Sequence, residues 1–228
     1  MDAIIMSAGR GSRLRPLTDT TPKPLIPILG RGTLHRTLDI LPQAVTRIII
    51  VVGYRAPQIR EAFGTEFGGC PVVYITQDPL DGTGGCLRRV REQMPDLSEH
   101  FLVMNGDDLY AGPDLEALAA SERGVLVLET RLNKEEDSWV RDERGALLGL
   151  TRTPAGELGL VNAGAYCLDH GWFGTEPVQV PGKPFEWSLP HALPQIIARG
   201  VPIMAVSATF WMPVGTPEEL TRAEQTLR

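Results

Sequence analysis

The sequence is short of several things, and each shortage excludes a class of protein. Its 228 residues hold three cysteines, Cys70, Cys86 and Cys167. They are odd in number and far apart, so neither a disulfide framework nor a Cys/His zinc pattern is written in them. The four histidines, His35, His100, His170 and His191, are scattered and fall in no general-base motif. No apolar stretch approaches the length of a membrane span. The opening "MDAIIM" has no basic leader, so no signal peptide is expected. Positive charge is also scarce. A net charge of −6 and a pI near 5.3 argue against a general nucleic-acid or anionic-membrane surface. A reducing cytoplasm is the expected setting. Low-complexity linkers and internal repeats are missing as well.

What the chain does have is alternation. "AIIM" reads as a buried strand. "TRIIIVVG" is a β-branched run of the kind covered on both faces. "PVVYITQ", "FLVMNGDD" and "VLVLETRL" read as further strands. Between them, "TLHRTLDILPQ", "APQIREAFG" and "TGGCLRRVREQM" have helical spacing. "PDLEALAASERG" adds a helix with Pro113 early and Gly124 past its end. Strand–helix alternation over the first 130 or so residues predicts a mostly parallel sheet with helices on both faces. Later the pattern loosens. "WVRDERGALLGLTR" has a turn at Arg144-Gly145, "SLPHALPQIIARG" is a broken helical pattern, and "TPEELTRAEQTLR" is a helix capped by Thr216.

The chemistry concentrates in "MSAGRGSRLRPLTDTTPKPL", Met6 to Leu25. Glycines after a first strand let a backbone approach phosphate, and free N–H groups there bind anions. Neither standard phosphate loop fits. A dinucleotide loop needs a third glycine where Leu14 stands, and a Walker loop needs a GK[ST] that is absent. Instead there are cations: Arg10, Arg13, Arg15 and Lys23, against a lone Asp19. Solvated charges beside a turn would read the same way, but Lys23 is held between two prolines, a rigid presentation. Such a cluster suits a triphosphate, whose charge must be neutralised before a nucleophile can reach it.

This segment resembles the fingerprint of the sugar-phosphate nucleotidyltransferases, a strand followed by AAGxGxRLxPLT and then PKPLxPVxG. "SAGRGSRLRPLTDTTPKPLIPILG" matches almost throughout. Further on, "TQDPLDGTGGCL", "LVMNGDDLY", "LVNAGAY" and "WMPVGTPEEL" are similar to the family's later segments, so the resemblance covers the whole chain. The length is like that of compact members, such as N-acetylmuramate 1-phosphate uridylyltransferases. The resemblance implies a three-layer α/β/α Rossmann-like fold with a mixed central sheet. It implies one domain over 1–228, with a nucleotide-binding half to about 110 and a sugar-binding half from about 111.

It also implies roles. Ala8, Gly9 and Gly11 would wrap the nucleotide, with any side chain at Gly11 filling phosphate space. Arg13 would hold the outer phosphates, and Lys23 would bridge the sugar phosphate and the α-phosphate. Gln77 and Gly82 would touch the base. Asp107 would anchor Mg²⁺, although Asp107 and Asp108 could also cap a following helix. Asn162, Gly164 and Glu186 would line the sugar. The substrates would be an NTP and a sugar 1-phosphate, without nucleic acid or membrane; assembly into a homo-oligomer is left open. Three positions depart from the family pattern. Arg152-Thr153-Pro154 replaces Glu-Lys-Pro, Pro213 stands where a second metal carboxylate is expected, and Ser188-Leu189-Pro190 replaces Ser-Leu-Glu. These departures keep two alternatives open: a phosphocholine cytidylyltransferase-like enzyme, or a nucleotide-binding regulatory subunit without turnover.

Overall fold

A computed structural model describes all residues, Met1–Arg228. A ten-stranded mixed sheet runs through it. Across the sheet the main order is Leu147–Thr153, Glu136–Arg141, Leu158–Asp169, His100–Asn105, Asp2–Ser7, Arg47–Val52, Cys70–Thr76 and Glu66–Phe67. The strand Asp2–Ser7 lies between Arg47–Val52 and His100–Asn105, parallel to both. Leu158–Asp169 runs antiparallel to His100–Asn105 and ties the second half of the chain to the first. Gly124–Arg131 pairs antiparallel with Leu158–Asp169 and parallel with Met204–Ser207.

The β-branched run forms the sheet centre because strand side chains alternate between faces. Ile4, Ile49 and Val51 face one layer of helix. Ala3, Ile5, Ile48, Ile50 and Val52 face the other. Each fully buried isoleucine contributes about 2 kcal/mol of apolar transfer, and a one-residue slip would exchange the two sets.

There are six α-helices, five of them on the faces of this sheet. The six are α1 (Thr33–Asp39), α2 (Ala56–Phe63), α3 (Gly82–Gln93), α4 (Gly112–Ala119), α5 (Leu189–Ala198) and α6 (Pro217–Thr226). Helices α3 and α5 pack on the Ile4 side, through Leu87, Val90, Leu193 and Ile196. Helices α1, α2 and α4 pack on the Ile5 side, through Leu34, Ile59 and Leu115. Thr216 caps α6 as expected, its side chain accepting from the Glu219 amide.

Some expectations are corrected. The broken pattern at 189–198 is one helix despite Pro194 within it. Its buried residues Leu189, Ala192, Leu193 and Ile196 follow i, i+3, i+4, i+7, an apolar stripe that outweighs the lost amide donor. Helix α4 stops at Ala119, so Gly124 is not its cap; it opens the next strand. The cap of α4 is Ala111, so neither Asp107 nor Asp108 serves that helix. Asp108 instead begins a short strand, Asp108–Tyr110, antiparallel to Trp211–Pro213. That pairing brings the C-terminal segment to the end of the central strands.

Candidate active site

The parallel strands end at a cleft, where an open α/β sheet holds ligands. It has two arms, of about 640 and 300 Å³. Met6, Gly9, Gly11, Ser12, Arg13, Asp107 and Lys183 line both, so the arms meet along the first loop. Ala8, Gln77, Gly82 and Glu186 line the larger arm, and Lys23 lines the smaller. Asn162 and Gly164 line neither.

The loop is shaped by what sits behind it. Gly11 has φ +62°, and a Cβ there would lie 2.9 Å from both Lys23 Cβ and Thr18 Cγ2. The expected reason for glycine at this position is therefore corrected. A side chain would collide with the loop's own backing rather than fill the open cleft. Gly9 is the glycine that faces free space, with nothing within 4 Å of its Cβ position. Thr18 Oγ1 donates to the Gly11 carbonyl at 2.9 Å, and Tyr54 Oη donates to the Thr18 carbonyl at 2.9 Å. Arg10 stands 6.0 Å from the Tyr54 ring centroid. Arg15 pairs with Asp19 at 3.2 Å and does not line the cleft. Arg13 reaches towards the C-terminal segment: a Cβ at Gly215 would meet its Nη2 at 2.8 Å.

Opposite the loop, Lys23 donates to Asp107 Oδ2. Lys23 is nearly buried, at 12% exposure, and Asp107 is 31% exposed. The next carboxylate, Asp108, faces inward. It accepts from Asn105 Nδ2 at 3.0 Å and from Trp211 Nε1 at 3.1 Å. Burial and the neighbouring Asp107 carboxylate push it up to about 7, against those two donors and Lys23. Asp107 is therefore the carboxylate presented to a ligand, and Asp108 is a structural acceptor. No cluster of three His, Cys, Asp or Glu side chains is assembled as a ready metal cage.

At the far end of the larger arm, Gln77 Nε2 donates to Asp81 Oδ1 at 2.8 Å and to the Gly82 carbonyl at 2.9 Å. Gly82 has φ +86°, and a Cβ there would lie 2.4 Å from the Trp187 carbonyl oxygen. Asn162 and Gly164 stand behind this surface. Asn162 Nδ2 donates to Tyr166 Oη at 2.6 Å, and its Oδ1 accepts from the Gly164 amide at 3.1 Å. A Cβ at Gly164 would lie 2.2 Å from Asn105 Nδ2, so this glycine makes room for a residue that does line the cleft.

Arg152 lies elsewhere. It is exposed and held by Glu135 at 2.7 Å and Asp137 at 3.3 Å. One lining cation was missed from the sequence. Lys183 lies on a strand, Lys183–Trp187, that pairs with Gln179–Val180 and overhangs the cleft. The only sequence signal for it was a lysine two residues from a strand-like aromatic pair, which is not specific.

A glycine loop bearing cations faces a carboxylate across the carboxyl ends of parallel strands, the arrangement of an α/β protein with its cleft at the strand ends. The chain belongs to the nucleotidyl transferase family, whose sequence pattern matches residues 2–228. The bifunctional protein GlmU of Methanocaldococcus jannaschii is 29% identical over 232 residues, covering 100% of this chain and 54% of that protein. The chain thus spans about half the length of the GlmU relatives it matches. The UTP–glucose-1-phosphate uridylyltransferase AglF of Haloferax volcanii is 26% identical, covering 100% of this chain and 97% of that one. Among solved structures, HddC from Yersinia pseudotuberculosis complexed with GMP-PN superposes with a TM-score of 0.74 at 22% identity, covering 100% and 99% of the two chains. No helix is long and apolar enough to cross a membrane.

Proposed function

We propose that this chain transfers a nucleotidyl group from an NTP to a sugar 1-phosphate, releasing pyrophosphate and an NDP-sugar. The observation that carries the reading is the facing of Arg13 and Lys23 with Asp107 around one strand-end cleft. The AglF likeness, nearly full-length in both chains, supports a sugar 1-phosphate as acceptor.

In this reading a phosphate oxygen of the sugar 1-phosphate attacks the α-phosphorus in line. A new P–O bond forms, the bond from the α-phosphorus to its bridging oxygen breaks, and pyrophosphate leaves with the electron pair. The nucleophile is already anionic, so no general base is required. The scattered histidines fit that. The Gly9–Gly11 backbone holds the nucleotide, and Gln77 with Gly82 meets the base. Arg13 neutralises the departing pyrophosphate, and Lys23 steadies the attacked phosphate. Asn162 and Gly164 act on the sugar side through Asn105, and Glu186 meets sugar hydroxyls. The nucleotide half, to about residue 110, and the sugar half, from about 111, then serve as one domain. The free cysteines suit a reducing cytoplasm.

The donor set fits Mg²⁺. This ion keeps several waters and is commonly held by one or two carboxylates with substrate phosphates. Asp107 would supply the protein carboxylate; Asp108, turned inward, would not. The ion would add charge neutralisation at the reacting phosphates.

The test is pyrophosphate release with Mg²⁺, across four NTPs and a panel of sugar 1-phosphates plus phosphocholine. Turnover with phosphocholine alone makes the chain a cytidylyltransferase of another acceptor class. NTP binding without turnover on any acceptor makes it a regulatory subunit, the reading that Pro213 favours.

A further inference from the structure

We propose that Lys183 is a phosphate-contacting residue of the cleft, delivered by the hairpin 179–187 and held until ligand arrives by Glu186. The inference rests on the nucleotidyl-transfer reading above. It adds a residue and a ligand exchange that the reading does not contain.

Position comes first. Lys183 lines both arms of the cleft, together with Arg13 and Asp107. It therefore stands at the junction between the end that holds Gln77 and Gly82 and the end that holds Lys23. A ligand spanning the arms must pass this junction. Anything phosphorylated there meets a fourth cation, beyond Arg10, Arg13 and Lys23.

The hairpin's attachment is the second observation. Its base is fixed to the cleft wall. The Trp187 amide donates to the Asp81 carbonyl at 2.7 Å, while the Ser188 amide closes the hairpin's own base on the Val178 carbonyl at 2.7 Å. The Leu189 amide donates to Thr83 Oγ1 at 2.9 Å. Gly82 and Gly84 lie directly beneath Trp187, where a Cβ would meet its backbone at 2.4 and 3.2 Å. The far end is free by contrast: Phe185 is 84% exposed. A lysine on such an arm stays over the cleft while its ammonium can move.

The third observation is its present partner. Lys183 Nζ donates to Glu186 Oε2 at 2.9 Å, with the side chains 58% and 39% exposed. An exposed pair of this kind is weak. A phosphate oxygen is a stronger, multiply charged acceptor. On ligand entry the ammonium leaves Glu186 for the phosphate, and the freed carboxylate faces the same arm, able to accept from hydroxyl groups. Arg152, in the triplet that replaces Glu-Lys-Pro, lines neither arm of the cleft and pairs with Glu135 and Asp137 outside it.

The experiment is titration calorimetry on the full chain, using each of the four NTPs, inorganic pyrophosphate and glucose 1-phosphate as probes. Wild type is compared with Lys183→Gln, Lys183→Arg, Glu186→Gln and Arg13→Ala, with melting temperatures recorded for each. Lys183→Gln should weaken NTP binding about tenfold, and Lys183→Arg should restore most of it. Glu186→Gln should tighten NTP binding a few-fold, because the competing carboxylate is gone; a merely structural ion pair would give loss instead. If pyrophosphate binding falls in parallel, Lys183 serves the outer phosphates. If only glucose 1-phosphate binding falls, it serves the acceptor phosphate. Either arm supports the proposal. Unchanged affinity for all probes in Lys183→Gln, with loss in Arg13→Ala, overturns the Lys183 proposal and leaves nucleotidyl transfer standing. Wild-type protein that binds no NTP and no pyrophosphate overturns both.

Discussion

Lys23 and Asp107, 84 residues apart in the chain, form an ion pair across the smaller arm of the cleft. The cation proposed for phosphate and the carboxylate proposed for metal thus neutralise each other before any ligand binds. On the proposed reading, substrate and metal would enter by exchange, each taking one partner. Asp107→Asn should therefore act in two opposite directions. Turnover should fall at least a hundredfold, the scale of losing a preorganised charge at a reacting centre. NTP affinity measured without metal should rise, because Lys23 is released and a repelling carboxylate is gone. Wild-type turnover in Asp107→Asn would remove Asp107 from the reaction.

Arg13 has no ion-pair partner in the protein and lines both arms. Its charge is uncommitted until ligand arrives. Arg13→Ala should lower kcat/KM by about two orders of magnitude, or about 3 kcal/mol of transition-state stabilisation. The melting temperature should stay within a degree or so of wild type. An unchanged rate constant would show that Arg13 takes no part.

Two glycines of the same loop should respond differently. A Cβ at Gly11 meets Lys23 and Thr18 at 2.9 Å and sits at φ +62°, whereas a Cβ at Gly9 meets nothing within 4 Å. Gly11→Ala should lower the melting temperature and weaken NTP binding together, because it displaces Lys23. Gly9→Ala should fold like wild type and lose NTP affinity alone, since its methyl enters the space open to ligand. Thermal melts with parallel NTP titrations check this. Equal melting temperatures for the two variants would contradict it.

The first strand carries a pH-sensitive anchor away from the cleft. Asp2 is 2% exposed and accepts from Arg47 Nε at 2.7 Å, Arg47 Nη2 at 2.9 Å and the Ser98 amide at 2.7 Å. Burial alone would raise its pKa, but the Arg47 and Ser98 hydrogen bonds together hold it below the usual 3.8. The folded state therefore binds the carboxyl proton less readily than the unfolded chain. That stabilisation is fully present above the unfolded value and is lost as pH falls through the lower folded value. Asp2→Asn should cost about 1–3 kcal/mol at neutral pH. The gap between variant and wild type should close under strongly acid conditions. Urea unfolding across pH measures it, and a pH-independent gap would refute the charge assignment.

The first half of this architecture was legible because its signals are local. The run from Ile48 to Val52 is buried on both faces, so its composition alone marks a central strand. The loop after the first strand carries a long contiguous pattern. What escaped depends on pairing between distant segments. Asp108–Tyr110 and Trp211–Pro213 are three residues each, too short to show a period, and they exist as strands only against each other. Lys183 was missed for the same reason. Its place over the cleft is set by Trp187 on Gly82 and Gly84, about a hundred residues earlier in the chain. Asn162 and Gly164 lie in a matched motif, yet where the pairing shifts register Asn162 bonds Tyr166 and the Gly164 amide, and Gly164 packs against Asn105, so neither lines the cleft.

Pro213 gives the sharpest test of how the chain handles metal. In the short ladder it stands directly opposite Asp108. Two residues away, Trp211 donates to that same carboxyl at 3.1 Å. Strand alternation puts Trp211 and Pro213 on one face, so a carboxylate introduced at 213 would arrive beside Asp108. Like charges directly opposite are destabilising, and Asp108 is already raised to about 7 by burial and by Asp107. Pro213→Asp should therefore lower the melting temperature in EDTA. Millimolar Mg²⁺ should restore it if the new carboxylate, unlike the inward-turned Asp108, shares a divalent cation with Asp107. Wild type, with Asp107 as the one carboxylate proposed for the metal, should show a Mg²⁺-dependent shift only when nucleotide is added. A Pro213→Asp loss that persists in Mg²⁺ would place position 213 out of reach of the metal, and a wild-type shift without nucleotide would show that the protein alone suffices to hold it.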